Sequence, residues 1–509
     1  MLAWFLNERH FTLKLLIVSF VLNGAMAFSR GASYWFDTIA YFEIARVIAD
    51  PAAFHQLNES NFGLLFQHIV PGLPLLILLF EEIFGTMLWP AFAVLQYGLS
   101  AAVCVYFARG FDGLINRSSQ LILVVLIETF AYYSDFHSAI LTESLSASLA
   151  LLIIAVTVRC LDGKYPLYRA LISLLILTFI GCQFRSYLVV IGAGCSALAV
   201  FERRRFRQFW LYGVVAVVAV ASAVAYPAYR AAAGGRFKPL NVNALMLMHT
   251  SYVAWDLDAR SQRALDSVVF DPVIREKLTL QREALNMNDV LKLVSDLEAR
   301  GLSRDQAGDL INTASKTVRT QSTEIMLRQL QLSLSSLGFQ YLATCCDSSR
   351  ALRRGFDGEA MLDHLKRYYR WNAGLAKNYQ RTFEAYNAIY LQPPYLYSQA
   401  AIDWYTSRVR PYIFDQAYMF RPALGITRLI PPDFFVILGL AGFITARRNW
   451  QMISILIICM APIYAATLMA TVVGNTRYSH PLWPLYFLGL VVVGERAANK
   501  FKPSPQTTS

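Results

Sequence analysis

The sequence predicts an all-α polytopic membrane protein, and three observations carry that reading. The chain of 509 residues is 56% hydrophobic and only 16% charged, a balance far from that of ordinary soluble domains. Apolar runs recur near both ends, each approaching the ~20 residues that a bilayer span requires. Basic residues gather beside these runs instead of forming one patch. The formal charge of +12 therefore reads as anchoring on the cytoplasmic side, not as affinity for nucleic acid.

Taken in order, the spans fall near 11–29, 87–108, 118–134, 138–159, 167–183, 187–202, 208–227, 430–446, 450–473 and 480–497. The first, from Arg9 to Ser29, reads as a retained signal anchor because it lacks a small-residue cleavage site. One further run, 62–84, is decided by charge parity. If it does not span, the inner loops collect Arg9 and Lys14, Arg109 and Arg117, Arg159, Lys164 and Arg169, the Arg203–Arg207 cluster, Arg447 and Arg448, and Arg496, Lys500 and Lys502. The short outer segments then hold only Arg30, Arg46, Arg185 and Arg477. Counting 62–84 as a span would throw two arginine clusters outside, against the positive-inside rule. The run is expected to lie along the outer face, broken by Pro71, Gly72 and Pro74. About ten spans with both termini cytoplasmic follow.

This topology divides the chain into an N-terminal transmembrane module over 1–227, whose first external loop is 30–86, and an extracytoplasmic region over 228–429. C-terminal transmembrane helices over 430–497 and a disordered cytoplasmic tail over 498–509 complete it. Within the inserted region, 273–300 and 303–343 place apolar residues at three- and four-residue spacing, which predicts helices. The seven cysteines show no CxxC pair and no metal-ligand spacing; most lie in apolar runs, where they act as small hydrophobes.

The outer side gathers unlike charges. Asp37 follows the first span in Trp35-Phe36-Asp37, flanked by aromatics suited to the headgroup layer. Asp135 lies in the turn before the fourth span, and Glu143 opens that span. An acid in either place is also favoured by a helix N-terminal dipole, and Asp37 can cap the helix that follows it. Arg185, Arg477 and His480 share the same side. A snorkelling arginine explains any one of them blandly, but acids and cations gathered at one interface suit a substrate with a phosphate head on a lipid tail. A guanidinium clamps phosphate oxygens, and a carboxylate deprotonates an incoming hydroxyl.

With Asp37 and Tyr41 opening the first external loop, a proline-bearing interfacial run at 62–84, Thr142-Glu143, Arg185, and Arg477-Tyr478 with Pro481 and Pro484 nearby, the chain resembles the GT-C glycosyltransferases. These polytopic enzymes use polyprenyl-phosphate sugars and include protein O-mannosyltransferases and the lipid A aminoarabinose transferase. The likeness covers roughly 1–230 and 430–497. It departs in having a lone Asp37 where many mannosyltransferases carry an Asp-Glu pair, and in the position of its inserted region. The resemblance implies a GT-C-like bundle with interfacial helices and an inverting transfer to a hydroxyl of an extracytoplasmic glycan, lipopolysaccharide or protein acceptor. Asp37 would be the base, Arg185, Arg477 and His480 would face the donor phosphate, and Tyr41, Asp135, Glu143 and Tyr478 would support the substrates. No cofactor is required on this reading, although Asp37, Asp135 and Glu143 could hold a divalent cation. The implied home is a bacterial inner membrane, with the site on its periplasmic face. A transporter or lipid flippase, and a ligase or polymerase using a diphosphate-linked donor, are the alternatives.

Overall fold

The computed structural model describes residues 10–30, 70–85, 88–130, 141–203, 300–321, 333–339, 432–446, 449–470 and 476–500, with isolated helical positions between them. Asp37, Asp135, most of 228–429 and the tail 501–509 lie outside the described residues. Among those described, the regular structure is all helical, without a strand. The α-helices are α1 (Phe11–Arg30), α2 (Gly72–Phe84), α3 (Leu88–Gly110), α4 (Arg117–Thr129), α5 (Thr142–Leu161), α6 (Leu167–Cys182), α7 (Tyr187–Glu202), α8 (Arg304–Gln321), α9 (Pro432–Thr445), α10 (Asn449–Ala470) and α11 (Trp483–Lys500). A 3-10 turn over Thr476–Leu482 leads into α11. Two of the helices, over Ala91–Gly110 and Thr142–Leu161, are long and apolar enough to cross a membrane.

Helix α5 is the centre of the bundle. It packs against α3, α6, α7 and the Thr476–Leu482 turn, and almost all of its residues are buried. Around it the helices pair α1 with α3 and α4, α7 with α10, and α9 with α11. The last pair is close enough that a Cβ on Gly442 or Gly489 would run into the facing backbone. Small residues at such a crossing let two helix axes approach and gain dispersion contact along their length.

Outward faces are apolar and several inward ones are polar, the reverse of a water-soluble amphipathic helix. On α1, Leu13, Ile17, Phe20 and Val21 form an exposed stripe, and Ile172, Ile176, Phe179 and Ile180 repeat the same spacing on α6. Facing inward on α1 are Ser19 and Asn23, both buried.

The polar contacts sort into two opposite ends. At one, Arg109 pairs with Asp112 at 2.7 Å and both engage Gln120. Asn116 caps α4 through Ser119 N and donates its own backbone N–H to Glu495 at 3.0 Å. Arg203 donates to the Cys160 carbonyl near the end of α5, and Gln451 donates to Glu202. The other end gathers Tyr41, Tyr133, His137, Glu143, Arg185 and His480. Helix α2 starts at that second end, where the Gly72 N–H donates to the Gln183 carbonyl at 2.9 Å. A Cβ on residue 72 would collide with that carbonyl, so glycine is required there. The helix finishes three residues short of Leu88, where α3 starts. Thirteen residues make a helix of about 20 Å, too short to travel away and return.

Four points differ from the sequence reading. Pro74 does not break α2 but sits in its first turn, where a missing N–H leaves nothing unpaired. Helix α4 stops at Thr129 instead of near 134, because Phe130 turns extended and lodges its ring 4.6 Å from Trp483 and 4.9 Å from Phe487. Helix α5 opens at Thr142 rather than at 138, with Leu141 extended before it. The C-terminal helix also continues to Lys500, so 498–500 are helical instead of opening the disordered tail expected over 498–509.

Candidate functional site

The first turn of α5, Thr142-Glu143-Ser144, organises the second end of the bundle. Its acid is favoured by the helix dipole and is 4% exposed. A carboxylate so placed needs a partner, and Glu143 Oε1 takes it from Arg185 Nη2 in an ion pair. Arg185 lies in the tight link between α6 and α7, with its backbone N–H on the Gly181 carbonyl, so the guanidinium reaches α5 from a short, fixed turn. The Arg185 side chain is 20% exposed. The pair thus has one wet edge and one dry one.

Hydroxyls surround it. The Tyr41 and Thr142 hydroxyls lie 3.4 Å apart, and Thr142 lies 3.4 Å from Glu143 Oε2, both long for hydrogen bonds. Ser146 donates to the Glu143 carbonyl at 3.0 Å, and the Tyr187 hydroxyl approaches Ser146 from α7. Tyr41 is itself buried, which ties the segment after α1 to α5.

His480 closes the cluster from the C-terminal turn. Its ring is fully buried, stacked 4.6 Å from Tyr133. Nε2 lies 2.6 Å from the Tyr133 carbonyl and Nδ1 lies 3.1 Å from the Glu143 carbonyl. Burial lowers its pKa from 6.5 to about 4, against the pull of the two carbonyls and the Glu143 charge. The neutral ring donates to one carbonyl only, and the shorter contact identifies Nε2–H to Tyr133 as that bond. His480 therefore anchors the turn through Nε2–H on the Tyr133 carbonyl, with its Nδ1 edge packed against the first turn of α5.

Of the residues singled out from sequence, Tyr41, Glu143, Arg185 and His480 come together at this end. The Thr476–Leu482 turn brings the backbone of Arg477 and Tyr478 there as well. Asp37 and Asp135 lie outside the described residues. No group of three or more metal-ligating side chains occurs among the described residues.

Sequence reasoning missed a second row of polar groups behind the first. His137 is buried, with Nδ1 2.7 Å from Ser144 Oγ and Nε2 2.9 Å from Ser100 Oγ. Ser100 in turn lies 3.5 Å from the Tyr133 hydroxyl. Its sequence signal was a histidine in the short turn that also holds Asp135. No protein-family model matches the chain, and no curated protein matches it.

Proposed function

We propose that the chain is a polytopic membrane glycosyltransferase of about ten spans. It would move a sugar from a polyprenyl-phosphate donor to a hydroxyl on an extracytoplasmic glycan, lipid or protein, in a bacterial inner membrane. The observation that carries this reading is the Glu143–Arg185 ion pair, part-exposed and set among hydroxyls at one end of a helical bundle. The sorting of helix ends, the exposed apolar stripes on α1 and α6 and the placement of α2 support the topology. The opposite end, rich in arginine, fits the cytoplasmic side.

On this reading Asp37 takes the proton of the acceptor hydroxyl, whose oxygen attacks the anomeric carbon from the face opposite the leaving phosphate, with inversion. Negative charge grows on the departing phosphate, and a pre-aimed guanidinium stabilises it there more than in the ground state. Glu143 holds Arg185 in that aim. Arg477, on the neighbouring turn, is the second phosphate ligand. His480, fully buried with Nε2–H on the Tyr133 carbonyl, positions the turn instead of touching phosphate. Tyr41, Asp135 and Tyr478 support the two substrates.

The alternative is a transporter or flippase, which a buried acid deeper in the bundle, Glu128, favours. Asp37→Asn in native membranes separates them. With expression and donor binding intact, the variant loses sugar transfer under the first reading. Retained transfer refutes the assignment of Asp37, and lost lipid translocation with no transfer activity in the wild type establishes the alternative. A diphosphate-donor ligase or polymerase would transfer sugar from diphosphate-linked donors only.

A further inference from the structure

Below the outer cluster lies a carboxyl that the proposed transfer does not use. Glu128, next to the last residue of α4, is 0% exposed. Its Oε1 lies 2.5 Å from Ser19 Oγ on α1, and the same hydroxyl lies 3.3 Å from the Ala101 carbonyl of α3. Glu128 Oε2 has no hydrogen-bond partner among the described residues. Neither do Oδ1 and Nδ2 of Asn23, the buried amide beside it, and the Cys104 thiol borders the same carboxyl from α3.

Proton counting constrains this pocket. Ser19 has one hydroxyl proton and faces two oxygens, the Glu128 carboxyl and an Ala101 carbonyl that lies inside α3 and takes the helix bond there. A protonated Glu128 donates to Ser19 Oγ and releases the serine proton for Ala101; alternatively it donates from Oε2 toward the Asn23 carbonyl oxygen. Either arrangement satisfies the neutral acid in place, whereas the anion would draw on Ser19, Asn23 and Cys104 as donors while fully removed from water. Among the described side chains the anion also has no nearby cation. On the helices packed against α4, Lys14, Arg109, Glu495 and Arg496 lie toward the opposite end, as does Arg117 on α4 itself, and Arg185 is engaged by Glu143. The titratable groups that do face the pocket are Cys104, Tyr133 and, one step further, His137. Tyr486 of α11 turns its hydroxyl to the Leu337 carbonyl. A lone ion in so dry a place costs several kcal/mol.

A row of polar side chains leads outward from the pocket. Tyr133 faces the carboxyl and has its hydroxyl 3.5 Å from Ser100 Oγ, which lies against His137 Nε2, and His137 Nδ1 meets Ser144 in the first turn of α5. Imidazole between two hydroxyls can pass a proton by taking it at one nitrogen and releasing it at the other.

We propose that Glu128 is a proton-binding site, held as the neutral acid in the outer half of the bundle and exchanging its proton through Tyr133, Ser100, His137 and Ser144 toward the Glu143–Arg185 cluster. It rests on the pocket alone and stands whether the outer site transfers sugar or moves lipid.

Infrared difference spectroscopy on the full-length protein in lipid tests it without substrate. The wild type should show, at neutral pH, the C=O band of a protonated carboxyl that Glu128→Gln removes, with the variant keeping its thermal stability. Transfer to D₂O should shift that band, and more slowly in Ser100→Ala and His137→Gln. A folded wild type whose spectrum shows no such band relative to Glu128→Gln overturns the proposal. So does a band that sodium ions abolish, which would make the pocket a cation site. Exchange at the wild-type rate in both relay variants overturns the route.

Discussion

Acid should loosen this protein through one histidine. The unfolded chain takes up a proton on His480 as pH falls through 6.5, whereas the folded ring resists until about 4. Between those values the unfolded state binds more protons, so stability falls with falling pH. Above the window the group contributes no loss, and below it the loss is complete. Each pH unit within it is worth about 1.4 kcal/mol, so the full effect is about 3 kcal/mol. The assay is reversible unfolding in lipid or mild detergent from pH 7.5 to 4, wild type against His480→Gln. Subtracting the variant removes the carboxylates and the other histidines from the comparison. The expected outcome is a wild-type curve that drops more steeply across the window. The geometry also offers the opposite case, since only an imidazolium could donate to both Tyr133 and Glu143 carbonyls. A wild-type curve that stays level with the variant, or rises against it on acidification, would refute the argument that burial outweighs those two bonds.

Two further outcomes follow from the packing. Glu143→Gln strands the Arg185 guanidinium and should cost about 3 kcal/mol. The double variant Glu143→Gln/Arg185→Met should recover about 1 kcal/mol or more of the summed single losses, read from a thermal double-mutant cycle, and strict additivity would show that the pair is not coupled. At the α9–α11 crossing, Gly489→Ala forces a methyl into the Gly439 backbone and should lower stability by about 1–3 kcal/mol. An unchanged unfolding midpoint would mean that the helices can separate without loss.

Much of the helical frame was legible because its signal is additive: α3, α6, α7 and α10 follow their apolar runs closely. Boundaries were less legible where one side chain decides them. Nothing in the local sequence around Phe130 says that its ring will seat between Trp483 and Phe487, residues far along the chain, and that seat ends α4. Pro74 was read as a breaker since proline in a helix interior is costly, but its distance from the helix start could not be read from the run alone. At the candidate site, charge parity brought Glu143, Arg185 and His480 to a common face. It could not say which atoms meet. The backbone carbonyls that receive His480 exist as a pair only once α4 and α5 are in place. Glu128 is the instructive omission: an acid inside the run 118–134 was visible from the outset, and the cost of burying it should have marked it for attention.

His480 reaches the Glu143 carbonyl across 337 positions of chain. Synthesis proceeds from the N-terminus, so the first turn of α5 must wait for nearly the whole polypeptide before this neighbour packs against it. A growing chain can therefore complete its early helices while the contact that joins its two ends is still missing.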